Sequence, residues 1–215
     1  MPPKRRLAAL AAACMIALAA ALTACGASSN APTETGGSSQ LATEQPSVPA
    51  TPPLHVSSVK VAGSERAVID TEKGVMEIAF YADKAPNTVA SFIELAKSGY
   101  FDGTTFHRVV QGELIQGGDP FSKNDDARTG TGGPGWRLAA EFNTVPHEAG
   151  TVAMARTDES PDTAGSQFYI ALRPLPGLDG EYTVFGHLVK GLDVGNRITA
   201  GTVVRSVKIV PGPGS

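Results

Sequence analysis

Residues 105–119 read Thr105-Phe106-His107-Arg108-Val109-Val110-Gln111-Gly112-Glu113-Leu114-Ile115-Gln116-Gly117-Gly118-Asp119. The β-branched and apolar content of 105–110 is that of a strand. Gln111-Gly112 supplies a sharp turn, and a second short strand follows. The turn brings Arg108 and Gln116 onto one face, with Val110 and Leu114 beside them. A guanidinium and a carboxamide over an apolar floor suit an amide substrate. One group donates, the other donates and accepts, and neither is a nucleophile.

Outward from this hairpin, strands are expected over 66–71, 75–81, 150–155, 166–171, 183–189 and 203–210. In the second of these, Met76, Ile78 and Phe80 alternate with Val75, Glu77, Ala79 and Tyr81, the period of a half-buried strand. Val89, Phe92, Ile93 and Ala96 repeat at helical spacing between Pro86 and Gly99, which predicts a helix over 86–97. A second, short helix is expected over 192–199. Many short strands and few helices predict a closed or packed, mainly β domain.

Two further blocks follow the hairpin: Gly165-Ser166-Gln167-Phe168-Tyr169-Ile170, and Leu178-Asp179-Gly180-Glu181-Tyr182-Thr183-Val184-Phe185-Gly186. In this order and spacing, the three blocks resemble the cyclophilins, the peptidyl-prolyl cis-trans isomerases, over roughly residues 58–211. The resemblance implies a closed eight-stranded antiparallel barrel capped by two helices. It implies Arg108 as the catalytic residue. Gln116, Ala155, Arg156 and Gln167 would hold the substrate backbone; Leu114, Tyr169 and Leu178 would wall the proline pocket, and Tyr182 would join the groove. The chemistry needs no cofactor. Amide rotation is opposed by about 18–20 kcal/mol, and Xaa-Pro exchange takes tens to hundreds of seconds. A cation near the prolyl nitrogen stabilises the twisted amide, whose lone pair is restored, more than the planar one.

The chain departs from the family's pattern at several positions. Glu113 stands where a pocket phenylalanine is usual, Gln111 where a proline is usual, and Arg156 where many eukaryotic members carry asparagine. A carboxylate beside an apolar pocket requires a partner, and Arg108 is the expected one. Such a pair would compete with substrate. It keeps open an alternative: a proline-peptide binding module with little or no turnover. Gly177 replaces the tryptophan of cyclosporin-sensitive members, which implies weak cyclosporin binding.

The ends read differently from the domain. Lys4, Arg5 and Arg6 precede an Ala/Leu-rich run, and Leu22-Thr23-Ala24-Cys25 resembles a bacterial lipobox. Residues 1–24 are therefore expected to be a lipoprotein signal peptide, with Cys25 as the site of lipid attachment. Residues 25–57, rich in Ser, Thr, Pro and Gly, are expected to be a flexible tether, and 58–215 the isomerase domain. The expected location is extracytoplasmic, on a bacterial cell membrane. Only Cys14 and Cys25 exist, so the domain is expected to hold neither a disulfide nor a cysteine metal site.

The formal charge is −3. Without the three basic residues of the leader it becomes about −6, a poor match for nucleic acid. The expected partners are proline-containing segments of exported proteins, met by a monomer. His55, His107, His147 and His187 lack zinc-ligand spacing, and Ser166 is not in a Gly-x-Ser-x-Gly elbow. Asp83, Asp119 and Asp179 read as turn or cap residues.

Overall fold

The structure is a computed structural model that describes residues 51–213. The expected signal peptide, Cys25 and the tether up to residue 50 lie outside the described residues. Nine strands and two helices follow in the order β1 Arg66–Thr71, β2 Gly74–Phe80, α1 Pro86–Lys97, β3 Thr105–Phe106, β4 Arg108–Val110, β5 Leu114–Gly117, β6 Thr151–Met154, β7 Phe168–Ala171, β8 Val184–Lys190, α2 Leu192–Gly195 and β9 Thr202–Val210. Three short 3-10 turns, Pro120–Asn124, Pro161–Thr163 and Pro176–Leu178, each begin with proline.

The sheet runs β3-β9-β1-β2-β8-β6-β7-β5-β4, every pair antiparallel. The two edge strands are consecutive in sequence. The single strand expected over 105–110 is broken at His107: β3 pairs with β9, whereas β4 pairs with β5. This break closes the sheet nearly into a barrel and makes the strand count nine rather than eight. It also leaves the His107 ring half-buried. Its desolvation lowers the imidazole pKa below the ordinary range.

The interior holds Ile69, Met76, Ile78, Phe106, Ile115, Val152, Phe168, Ile170 and Phe185. Helix α1 closes one end, with Val89, Phe92, Ile93 and Ala96 buried as their spacing requires. Phe92 touches Phe80, Phe101, Phe168 and Phe185 at centroid distances of 4.9–5.8 Å, a favourable range for aromatic pairs. Helix α2 is shorter than expected, ending at Gly195.

A second, smaller apolar cluster sits on the outer face of the sheet. Leu114, Ala153, Tyr169, Ala171, Leu175 and Val184 form it, with Ala155, Leu178 and Tyr182 packed against it. Period-two alternation explains the division: Ile115, Phe168 and Ile170 point in, while Leu114, Gln116, Tyr169 and Ala171 point out. The 172–182 segment supplies Leu175 and Leu178 to this outer cluster, so β6 and β7 are buried on both faces.

The domain also begins earlier than expected. Residues 53–57, assigned from composition to the tether, lie against the barrel. His55 N–H donates to Arg137 O (2.9 Å), and Arg137 N–H to Pro53 O (3.0 Å). Ser57 Oγ donates to Glu94 Oε2 (2.6 Å). This attachment is polar and aromatic: the His55 ring also lies 4.5 Å from the Trp136 ring.

Candidate active site

Register places the site. Arg108 on β4 is directly opposite Gln116 on β5, which is opposite Tyr169 on β7, which is opposite Ala153 on β6. One cross-strand row on the outer face thus carries a cation, an amide, a phenol and a methyl group. The hairpin that builds the row turns at Gln111-Gly112, where Gly112 has φ +70° and Glu113 N–H donates to Val110 O (2.9 Å).

The row borders a cavity of about 480 Å³ lined by Arg108, Leu114, Ala155, Tyr169, Leu178 and Tyr182, among others. Gln116, Arg156 and Glu113 line it too. The structure therefore gathers every sequence-expected groove residue here except Gln167, which lies in the adjoining cavity. Cys25 lies outside the described residues. Arg173, Leu175 and Pro176 also line the cavity and were not anticipated. The proline-punctuated stretch Leu172-Arg173-Pro174-Leu175-Pro176 between two recognised blocks was the available signal.

Glu113 does not pair with Arg108. Its Oε2 accepts from Arg173 Nη2 instead. Among the described residues no carboxylate pairs with Arg108, whose Nη1 donates only to Gln116 Oε1, at 3.4 Å. The premise of a guanidinium blocked by Glu113, and with it the case for a module without turnover, is thereby removed.

A relay of amides orients this pair. Gln116 Nε2 donates to Gln167 Oε1 (2.9 Å). Gln167 Nε2 donates to Gly130 O (3.0 Å), Gly132 O (2.9 Å) and Asp119 Oδ2 (3.3 Å). A flipped Gln167 would place its carbonyl against three acceptors, so its orientation is determined. Gln116 must then give its NH₂ to Gln167 and present its carbonyl to Arg108. Asp119 is fully buried and also accepts from the N–H groups of Phe121, Gly130 and Gly132. A Cβ on Gly132 would fall 2.2 Å from Asp119 Oδ1, so only glycine fits. Asp119 is the expected cap of its turn and, in addition, the anchor of the relay.

Tyr169 is fixed from behind. Its hydroxyl lies 2.8 Å from His147 Nε2, and His147 Nδ1 lies 2.9 Å from Asp179 Oδ1. Burial raises the Tyr169 pKa well above the ordinary phenol range, keeping this wall neutral. Hydrogen bonds from the His147 backbone N–H and ring hold Asp179 below the usual carboxylate range. Arg156 lies over the Tyr182 ring at 4.9 Å, while its Nε donates to Glu181 O (3.0 Å). The site can hold an apolar ring next to a backbone amide, with a cation at the amide. Among the described residues no group of three or more His, Cys, Asp or Glu is placed to hold a metal ion.

Residues 66–212 match the family model described as cyclophilin type peptidyl-prolyl cis-trans isomerase/CLD. A peptidyl-prolyl cis-trans isomerase of Synechococcus elongatus is 44% identical over 147 residues, 67% of this chain and 96% of the relative. Peptidyl-prolyl cis-trans isomerase B of Bacillus subtilis is 43% identical over 136 residues, covering 62% and 90%. Among solved structures, the Cryptosporidium parvum cyclophilin type isomerase determined in the presence of the dipeptide Ala-Pro superposes with a TM-score of 0.62 at 29% identity, over 68% of this chain and 99% of that one. A barrel with an Arg/Gln groove on its outer face defines a class of amide-rotating enzyme, and the chain belongs to that class, the cyclophilin-type peptidyl-prolyl cis-trans isomerases.

Proposed function

We propose that this groove rotates Xaa-Pro bonds in exported proteins and so assists their folding. The protein would act as a lipid-anchored monomer outside a bacterial cell membrane. The observation that supports the chemistry best is the Arg108 guanidinium, paired with no carboxylate among the described residues and opposite Gln116 at the edge of a pocket lined by Leu114, Tyr169 and Leu178. The proline ring enters that pocket. Gln116, Gln167 and the backbone at Ala155 hold the flanking peptide. Arg108 donates toward the prolyl nitrogen as it becomes pyramidal, an interaction the planar ground state lacks. The relay from Asp119 keeps the Gln116 carbonyl turned to the guanidinium, so little reorganisation accompanies rotation.

Exchange NMR on an Ala-Pro peptide tests the activity. The parent should exchange cis and trans well above the thermal rate, and Arg108→Ala should lose most of the acceleration; a parent at the thermal rate would overturn the reading. The location rests on Lys4-Arg5-Arg6, the apolar run and the Leu22-to-Cys25 motif. Fatty-acid labelling should mark the parent and not Cys25→Ala. Equal labelling of both would exclude Cys25 as the attachment point.

A further inference from the structure

Next to the proline pocket lies a larger cavity of about 580 Å³. The two share Gln116, Ala155 and Arg156, so they form one continuous groove. One side of the larger cavity is built from the loop at Gly130–Gly133. The other includes Thr51 and Pro52, beside Trp136 and Arg137. Thr51 and Pro52 precede the family domain, which begins at residue 66.

This leading segment is held by contacts at successive residues. Arg137 Nε donates to Pro52 O (2.8 Å), and a short parallel bridge joins Leu54 to Arg137. The His55 ring lies 4.5 Å from the Trp136 ring. His55 Nε2 and Ser57 Oγ both meet Glu94 Oε2, at 3.1 and 2.6 Å. Asn87 clasps the same stretch from helix α1: its Oδ1 accepts from Ser57 N–H (2.9 Å) and its Nδ2 donates to His55 O (3.0 Å). The seat is therefore built by helix α1 and the Trp136-Arg137 segment, and it holds the segment's first residues at the rim of the groove.

We propose that residues 51–57 are a strap whose first two residues, Thr51 and Pro52, supply a wall of the substrate groove and set selectivity for a residue flanking the proline, while residues 53–57 only anchor them. The flanking side chain favoured is uncharged. The two guanidiniums at this cavity are committed to carbonyls: Arg137 to Pro52 O and Asp162 O, Arg156 to Glu181 O and Thr157 O. Neither offers a free fork to a carboxylate, and the exposed Glu159 carboxylate repels one. Arg137 and Arg156, the two cations in the cavity wall, disfavour a basic side chain against them. The Pro52 ring, the Trp136 indole and the Phe121 ring supply apolar surface.

This inference rests on the isomerase reading, and the test separates the two. The probes are a minimal Ala-Pro peptide and versions extended at either end by leucine, aspartate or lysine. They are applied to the full chain and to its His55→Ala and Glu94→Gln variants, which loosen the strap without touching the groove. In the parent, leucine at one end should raise kcat/KM about tenfold through KM, the scale of partly burying one leucine; aspartate and lysine should not. In the variants that gain should fall to about threefold or less, with turnover of the minimal peptide unchanged. Amide exchange at His55 and Ser57, whose N–H groups donate to Arg137 O and Asn87 Oδ1, reports whether the strap has been released. If neither variant releases it, Pro52→Gly with Pro53→Gly alters the wall directly. Three results would overturn the proposal: no gain from any extension in the parent, an undiminished gain with the strap released or altered, or an equal loss for minimal and extended peptides. Should the minimal peptide not be turned over at all, the isomerase reading fails, and peptide affinities from NMR titration decide the strap by the same comparisons.

Discussion

Arg108 and Glu113 lie five positions apart on one hairpin, yet they do different things. The sequence placed a carboxylate near a guanidinium and left the choice of partner to the fold. Arg173 is sixty residues away from Glu113 in sequence, and no local pattern predicts that it arrives at the same rim. The consequence is measurable in a double-mutant cycle. Glu113→Ala and Arg173→Ala should couple by about 0.2–1 kcal/mol in stability, the range for an exposed pair, since their side chains are 36% and 52% exposed. Glu113→Ala and Arg108→Ala should be additive in kcat/KM. Strong coupling between Glu113 and Arg108 would return the carboxylate to the reacting amide. Gly177 is equally readable at this scale. A Cβ there meets no atom within 4 Å, so Gly177→Trp can be accommodated. It should tighten cyclosporin by roughly 1–3 kcal/mol, one buried aromatic plus one hydrogen bond. Calorimetry finding tight binding to the parent would contradict this.

At the scale of elements, what the sequence made legible was periodicity, and what it concealed was pairing. Helix α1 and strand β1 have the expected bounds because their apolar spacing and stop signals are local. The break at His107 is set by which neighbour each half of the strand must meet, and the hairpin alone does not contain that information. Likewise, Asp119 and Gln167 read separately as a cap and a groove residue. Only the folded chain joins them into one relay. Gln167→Glu should break it, because a second carboxylate would face Asp119 Oδ2 and two carbonyls. A fall of tenfold or more in kcat/KM is expected, since about 1.4 kcal/mol of lost transition-state stabilisation suffices. Unchanged kinetics would show that Gln116 needs no such orientation. The wall behind the pocket has its own acid dependence. Asp179 has a folded-state pKa below its unfolded one. Its contribution is therefore fully present above the ordinary aspartate value and is lost as pH falls through the lower folded one. Urea midpoints measured across that acid window should fall more steeply for the parent than for Asp179→Asn; identical profiles would mean that the His147 contact contributes nothing. Tyr169→Phe should cost about 1–3 kcal/mol at neutral pH by leaving the buried His147 Nε2 without its partner.

For the whole molecule, the question is where the domain starts. Composition assigns residues 25–57 to a tether, because Ser, Thr, Pro and Gly bury little apolar surface. That argument counts core-forming residues and misses attachment by other means. His55 contributes a ring against Trp136 and a contact to Glu94, whose carboxylate the Ser57 hydroxyl and the His55 ring together hold below the ordinary glutamate range. Opposing this, ordering each residue costs about 1–2 kcal/mol of backbone entropy, so the net gain is a small difference. A chain beginning at residue 58 should consequently melt below one beginning at residue 51 by ~2–4 °C, corresponding to about 1 kcal/mol for a domain of this size. The gap should narrow as the pH falls through the lowered Glu94 value, because the Glu94 contribution exists only while its carboxylate is ionised. Differential scanning calorimetry of both chains across that range checks both statements. Equal melting temperatures at neutral pH would mean that the strap adds nothing to stability, leaving its effect on extended peptides as its sole measurable consequence.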